Sequence, residues 1–178
     1  RHDKGLYDRI VSVGMFEHVG INYYDEYFTK LKNLLSADGV ALLHTIGRTD
    51  GPSITDSFIR KYIFPGGYIP ALSEVVTAIE RSGLIITDIE VLRLHYADTL
   101  RAWRKNFLAN RERAVALYDD KFCRMWEFYL GGSEVSFRHL GMVAYQIQLT
   151  RRQDAVPLTR AYLHNGQRRS SDHGIAAR

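Results

Sequence analysis

A chain of 178 residues, 46% apolar and 25% charged, is long enough for one sizeable hydrophobic core and too short for two. No window approaches about 18 uninterrupted apolar residues, which excludes a transmembrane helix, and a single cysteine, Cys123, excludes an intrachain disulfide. The net charge of +4 sits in residues 151–178, where six arginines face only Asp154 and Asp172.

In chain order, Tyr7-Asp8-Arg9-Ile10-Val11-Ser12-Val13 reads as a strand with β-branched residues at its end, followed by Gly14 and Met15-Phe16-Glu17-His18. A helix follows. Asn22 offers a cap, Tyr23, Tyr27, Leu31 and Leu34 share one face, and Asp25 and Glu26 lie in the first turn. Asp38-Gly39 predicts a turn into residues 40–46, a near-continuous apolar run expected to be a strand buried on both faces of a parallel sheet. Strand, helix and strand within forty residues form an α/β crossover.

Beyond a loop at 49–53, a short helix is expected from Phe58 to Phe64, stopped before Pro65. A longer one runs from Ser73 to Gly83, and a third strand spans 84–94. Residues 98–130 read as an aromatic-rich pair of helices, or one bent helix, capped by Asp98 and ending at Gly131-Gly132; they are expected to wall a pocket. A short helix near 134–140 leads to a last strand, 142–149. The expected organisation is one partial domain, residues 1–152, with a helical insertion at about 98–130 and a basic, disordered tail at 153–178. That tail reads either as a solvated terminus or as a general electrostatic contact for anionic lipid headgroups or nucleic acid. The body has no basic stripe or recognition pattern, so nucleic acid is not an expected partner.

No G-x-G-x-x-G occurs, and the strand, Gly-rich turn and helix that usually open a doubly wound sheet are missing from these residues. Strand 7–13 is therefore expected to expose an unpaired edge, to be covered by a second copy or by a separate N-terminal half.

Three polar residues fall in apolar places. Glu17 follows the first strand, His44 lies inside the second and Tyr96 follows the third, so all emerge at the carboxyl end of the sheet, where ligands gather in open α/β folds. Each has a plainer alternative: Glu17 as a loop brace, His44 as a satisfied core histidine, Tyr96 as packing. No His, Cys, Asp or Glu spacing suits a metal ion.

The run Tyr7 to Gly20, with Leu42-Leu43-His44-Thr45-Ile46-Gly47, Lys61-Tyr62-Ile63-Phe64-Pro65-Gly66-Gly67 and Thr99-Leu100-x-x-Trp103, resembles the cyclopropane-fatty-acyl-phospholipid synthases and their mycolic acid cyclopropane synthase relatives, over about residues 5–150. The resemblance implies an α/β fold: the C-terminal part of a class I, Rossmann-like S-adenosylmethionine-dependent methyltransferase, with an inserted helical lipid-pocket element. It implies methylene addition across a cis double bond of an unsaturated phospholipid acyl chain, with bicarbonate as base. Glu17, His44, Tyr96 and the Ile46 backbone would hold the bicarbonate, and Gly14, Met15 and Phe16 would border S-adenosylmethionine. Trp103, Phe107, Met125 and Trp126 would line the acyl pocket, or simply form helix–helix core. The family's glycine-rich cofactor loop, its acidic ribose-binding residue and its bicarbonate-site cysteine would all lie upstream of Arg1. The isolated chain is thus expected to bind S-adenosylmethionine weakly. An inactive lipid-binding or complementing module, and a relative that methylates without closing a ring, are the alternatives. The implied location is cytoplasmic, peripheral at the inner membrane surface.

Overall fold

The computed structural model describes residues 5–163. Strand β1 (Tyr7–Val13) leads through two short turns to helix α1 (Tyr24–Leu34), whose buried Tyr24, Phe28 and Leu31 recur at helical spacing. Asn22 lies in the turn before α1 rather than at its cap. Strand β2 (Leu35–Arg48) begins as soon as α1 ends. The expected turn at Asp38-Gly39 is instead an irregularity within β2: its register against β1 passes from Tyr7↔Leu35 to Arg9↔Val40. Leu35 folds back over Gly39, where a Cβ would lie 2.7 Å from Leu35 Cδ1, so this bend needs glycine.

A single π-helical turn (Ile59–Ile63) stands where the short helix was expected. Helix α2 (Leu72–Ser82) starts with Glu74 accepting the Ala71 N–H at 2.8 Å and ends at Gly83 with φ +70°. Strand β3 (Ile85–Leu92), helices α3 (His95–Ala109), α4 (Arg111–Leu117) and α5 (Asp120–His139), and strand β4 (Met142–Thr150) complete the fold.

The sheet order is β1-β2-β4-β3, with β1 and β2 parallel and β4 antiparallel to both β2 and β3. β2 is therefore not the doubly buried parallel strand expected from its composition. Ala41, Leu43 and Thr45 are fully buried on one face, while Leu42, His44 and Ile46 on the other are half-buried. Helices α1 and α2 lie together, joined by Arg81 to Asp25 and by Lys32 Nζ to the Ser82 carbonyl. Their core with the sheet includes Phe16, Phe28, Leu35, Val75 and Ile79. The outer edge of β1 pairs with no strand among the described residues, and Val11 and Val13 are exposed.

The helical insertion departs from expectation in two ways. It holds three helices, and α5 runs unbroken through Gly131 and Gly132, absorbing the short helix expected near 134–140. Neither glycine adopts a positive φ. Their poor helix propensity, about 1 kcal/mol each, is overridden by burial of Leu130 and Phe137 on either side. Asp98, expected as a cap, sits in the first turn of α3 and pairs with Arg138. The cap of α5 is Asp119, which accepts the Phe122 N–H at 2.6 Å.

Contacts continue past Arg152, where order was expected to end. Arg160 pairs with Asp88 at 2.6 Å, and Tyr162 Oη donates to Gln148 Oε1 at 2.5 Å. The rest of the expected tail, 164–178, lies outside the described residues.

Candidate active site

Pairing between β1 and β2 stops at Val13↔His44, prolonged by one bond from Gly14 N–H to the His44 carbonyl at 3.1 Å. Gly14 has φ +63°, a turn that glycine makes without strain. The chain then leaves the sheet, and the next β2 group on that side, the Ile46 N–H, has no strand partner. Glu17 fills the gap: its Oε1 accepts the Ile46 N–H at 2.6 Å. Phe16 anchors the turn, wholly buried and stacked on Tyr24 at 4.2 Å, and Tyr68 N–H holds the Glu17 carbonyl at 2.8 Å.

Glu17 is buried, yet its Oε2 has no hydrogen-bond partner among the described residues. Half a carboxylate left bare is costly, so the arrangement invites a donor. Nearby, His44 places Nε2 3.4 Å from Tyr96 Oη and Nδ1 3.4 Å from Gln146 Nε2, both long contacts. Tyr96 lies in the first turn of α3, stacked on Phe137 of α5 at 5.3 Å. Burial, and then the charge of Glu17, push the Tyr96 phenol above its ordinary value. The three residues converge although β3 is not adjacent to β2. Because β4 runs antiparallel between them, β1, β2 and β3 all end on the same side.

Ile46 and Tyr96 border a cavity of about 590 Å³, otherwise lined mainly by apolar side chains including Leu100, Trp103, Phe64 and Tyr129. Of the expected pocket residues, Trp103 lines it. Phe107 and Trp126 pack against the buried cluster of α3 and α5, and Met125 is half-buried away from the lining. From α5 the lining is Phe128, Tyr129, Gly132, Ser133, Ser136 and Phe137, at helical spacing, with Leu140 just past the helix end. Reading Gly131-Gly132 as a helix end concealed the part from Gly132 onward; Gly132 and Ser133 are small where the cavity needs room. Of the expected cofactor edge, Gly14 and Met15 are exposed, whereas Phe16 belongs to the core. The Ile46 N–H, expected to face bicarbonate, is directed at Glu17 instead. Among the described residues no cluster of three or more His, Cys, Asp or Glu is placed to hold a metal ion.

A mixed α/β sheet flanked by helices, with its polar site beyond the strand ends, defines a Rossmann-like methyltransferase fold. In solved structures the same fold is found in the cyclopropane synthase MmaA2 of Mycobacterium tuberculosis (TM-score 0.76, 31% identity, 83% of this chain and 56% of that one). It is found equally in the mycolic acid cyclopropane synthase CmaA1 complexed with SAH and CTAB (TM-score 0.76, 34% identity, the same coverage). The family description Mycolic acid cyclopropane synthetase matches residues 2–147, and the chain belongs to that family of S-adenosylmethionine-dependent methyltransferases. Its relatives include tuberculostearic acid methyltransferase UfaA1 of Mycobacterium tuberculosis, 39% identical over 83% of this chain and 36% of that protein. Another is the cyclopropane-fatty-acyl-phospholipid synthase of Escherichia coli, 37% identical over 82% of this chain and 38% of that protein. The chain thus spans rather more than a third of the length of these curated relatives.

Proposed function

We propose that this chain carries the acyl-binding and proton-handling part of a methyltransferase that adds a methylene across a cis double bond of an unsaturated phospholipid acyl chain, with bicarbonate as the base. One observation carries the reading: a buried carboxylate with one oxygen fixed on the Ile46 N–H and the other bare, near the His44–Tyr96 pair, with Ile46 and Tyr96 themselves lining an apolar cavity.

The bare Glu17 Oε2 accepts only, so it suits the O–H of a bicarbonate and repels an unprotonated anion. Tyr96, its phenol raised, stays a neutral donor, and His44 offers a ring nitrogen opposite. Ile46 acts through Glu17, locking the carboxylate before anything binds. Gly14 and Met15, exposed at the end of β1, would meet the edge of S-adenosylmethionine, whose contribution is an electrophilic methyl group. The apolar cavity keeps water from a cationic hydrocarbon chain until its proton is removed. The reading puts the protein in the cytoplasm at the inner membrane surface, with a second copy or another polypeptide along the open β1 edge. Methyl-branch formation without ring closure is the second reading, supported by the fatty-acid methyltransferases among the relatives.

The test replaces the aligned segment of the Escherichia coli synthase with this chain and analyses phospholipid acyl chains by mass spectrometry in cells lacking their own synthase. Gain of a CH2 unit without the double bond is expected. A methyl branch selects the second reading, and unmodified acyl chains from a folded chimera overturn both.

A further inference from the structure

The two faces of β4 differ in chemistry. Tyr145, Ile147 and Leu149 are buried in the core under α1 and α2, whereas Gln146 and Gln148 lie on the opposite face of the sheet, the face of Leu42 and His44. Half-buried amides ordinarily have their hydrogen bonds made. Gln148 Oε1 accepts the hydroxyls of Thr87 at 2.9 Å and Tyr162 at 2.5 Å. Gln146 stands directly opposite His44 across the β2–β4 ladder, and its Nε2 faces His44 Nδ1 at 3.4 Å.

That contact has a direction. An amide nitrogen donates and does not accept, so Nδ1 presents its lone pair to it, and the one proton of the neutral ring falls on Nε2. Nε2 faces Tyr96 Oη, also at 3.4 Å. With Nε2–H donating, the phenol oxygen accepts, and the Tyr96 O–H is left to point away from His44. The other end of the row agrees. The Glu17 carboxylate, close enough for its charge to act on the Tyr96 phenol, only accepts, and it draws the same proton outward. Bonds that all run one way polarise one another.

We propose that Gln146 is a positioning residue: it holds His44 in the tautomer protonated on Nε2, and so fixes the Tyr96 hydroxyl as a donor into the space beside Glu17. A ring protonated on Nδ1 would instead take the Tyr96 proton on Nε2. The site would then offer only lone pairs beside a carboxylate, an arrangement that repels any anion. That the occupant is an anion rests on the function proposed above; the tautomer is a property of the chain alone.

Long-range proton–nitrogen correlation spectra of the histidine rings are recorded on the 178-residue chain in mildly alkaline buffer, with the His44 signals identified by their loss in His44→Asn. One tautomer is expected, with Nε2 protonated and Nδ1 bare. In Gln146→Met, which keeps the length and removes the donor, it should give way to a mixture. In Gln146→Glu, whose carboxylate accepts, the proton should move to Nδ1. A wild-type ring protonated on Nδ1 overturns the proposal, and so does an Nε2–H tautomer that survives both substitutions. Glu90 stands opposite position 146 on β3 and opposes a second carboxylate there, so where Gln146→Glu does not fold, Gln146→Met decides alone. In the chimeric enzyme the loss should fall on kcat, about tenfold or more for Gln146→Glu, with KM for the lipid little changed. An unchanged kcat with the tautomer reversed overturns the part of the proposal that reaches Tyr96. A wild-type chimera that leaves acyl chains unmodified breaks the function proposed above instead, and the spectra still decide the tautomer.

Discussion

The two apolar clusters of this molecule are built to different standards. On the sheet face under α1 and α2, Phe16, Phe28, Leu35, Val75 and Ile79 are wholly buried and belong to one continuous core. Between the sheet end and α3 to α5, the buried set is Ala97, Leu100, Leu130 and Phe137, beside about 590 Å³ of open cavity. Interiors ordinarily pack as densely as organic crystals, so a gap of that size marks a place for something else. The closed half holds Phe16, and through it Glu17, in place; the open half supplies volume. Rigidity and vacancy are divided between two parts of one small fold.

That division makes its largest prediction in stability. Phe28→Ala, at the centre of the closed half, should cost about 4 kcal/mol in urea unfolding. Trp103→Ala, half-exposed on the open half, should cost less than about 1 kcal/mol. Equal losses would show that the helical half is ordinary core after all.

Turnover should show the reverse weighting. In the chimeric enzyme, Glu17→Gln keeps an oxygen for the Ile46 N–H but puts a donor where the bare acceptor stood. A loss of about 10²-fold is expected, with stability changed by less than about 1 kcal/mol. Tyr96→Phe keeps the stack on Phe137 and removes the hydroxyl facing His44, and a loss of the same order is expected. Unchanged product formation in both would return Glu17 to bracing a loop and Tyr96 to packing.

How far the sequence disclosed this arrangement follows from what each signal measures. The β-branched end of β1 and the glycine stop after α2 are local, and those elements stand close to where the pattern puts them. The α1 face expected from Tyr23, Tyr27, Leu31 and Leu34 is turned instead, with Tyr24, Phe28 and Leu31 buried and Tyr23 exposed in the preceding turn. The position of β4 between β2 and β3 is a long-range choice that no local pattern encodes, so β2 looked parallel on both sides. Glycine propensity misplaced the end of α5 because burial of Leu130 and Phe137 outweighs it. The same error hid Gly132, Ser133 and Ser136, which lie at or past the expected end, as cavity lining. Glu17, His44 and Tyr96 were identifiable as polar residues at strand ends, but the bond from Ile46 to Glu17 depends on where β1 stops.

A pair of glycine substitutions sharpens the comparison with smaller effects of opposite sign. At Gly47 an added Cβ would fall on the Tyr145 ring, 2.5 Å from Cδ2, and 3.2 Å from the Pro70 carbonyl. That ring is buried and tied through its hydroxyl to the Arg48 carbonyl at 2.7 Å, so it cannot swing aside. Gly47→Ala should therefore destabilise by about 2 kcal/mol. At Gly132, facing the cavity, nothing lies within 4 Å of the new Cβ, and Gly132→Ala should stabilise α5 by up to about 1 kcal/mol. Thermal unfolding of the two variants decides; a destabilised Gly132→Ala would mean that the open half has no room to spare.

The smallest effect appears in alkali. Burial raises the phenols of Tyr24, Tyr27 and Tyr68 in the closed half, and of Tyr96 and Tyr129 around the open one. Tyr68 is pushed from 10.0 to about 12, by burial first and then by its hydrogen bond to the Glu74 carboxylate. A phenol is neutral when protonated, so a raised value means the folded chain keeps a proton that the unfolded chain has released. Stability from Tyr68 is thus complete below about pH 10 and drains away as pH rises through about 12. Tyr68→Phe should cost about 1 kcal/mol at neutral pH through the lost bond to Glu74, and should flatten this alkaline decline. Urea unfolding at stepped pH would measure both. If Tyr68→Phe leaves the decline unchanged while Tyr96→Phe flattens it, the alkaline weak point lies in the open half, and the closed half is the tighter of the two even against deprotonation.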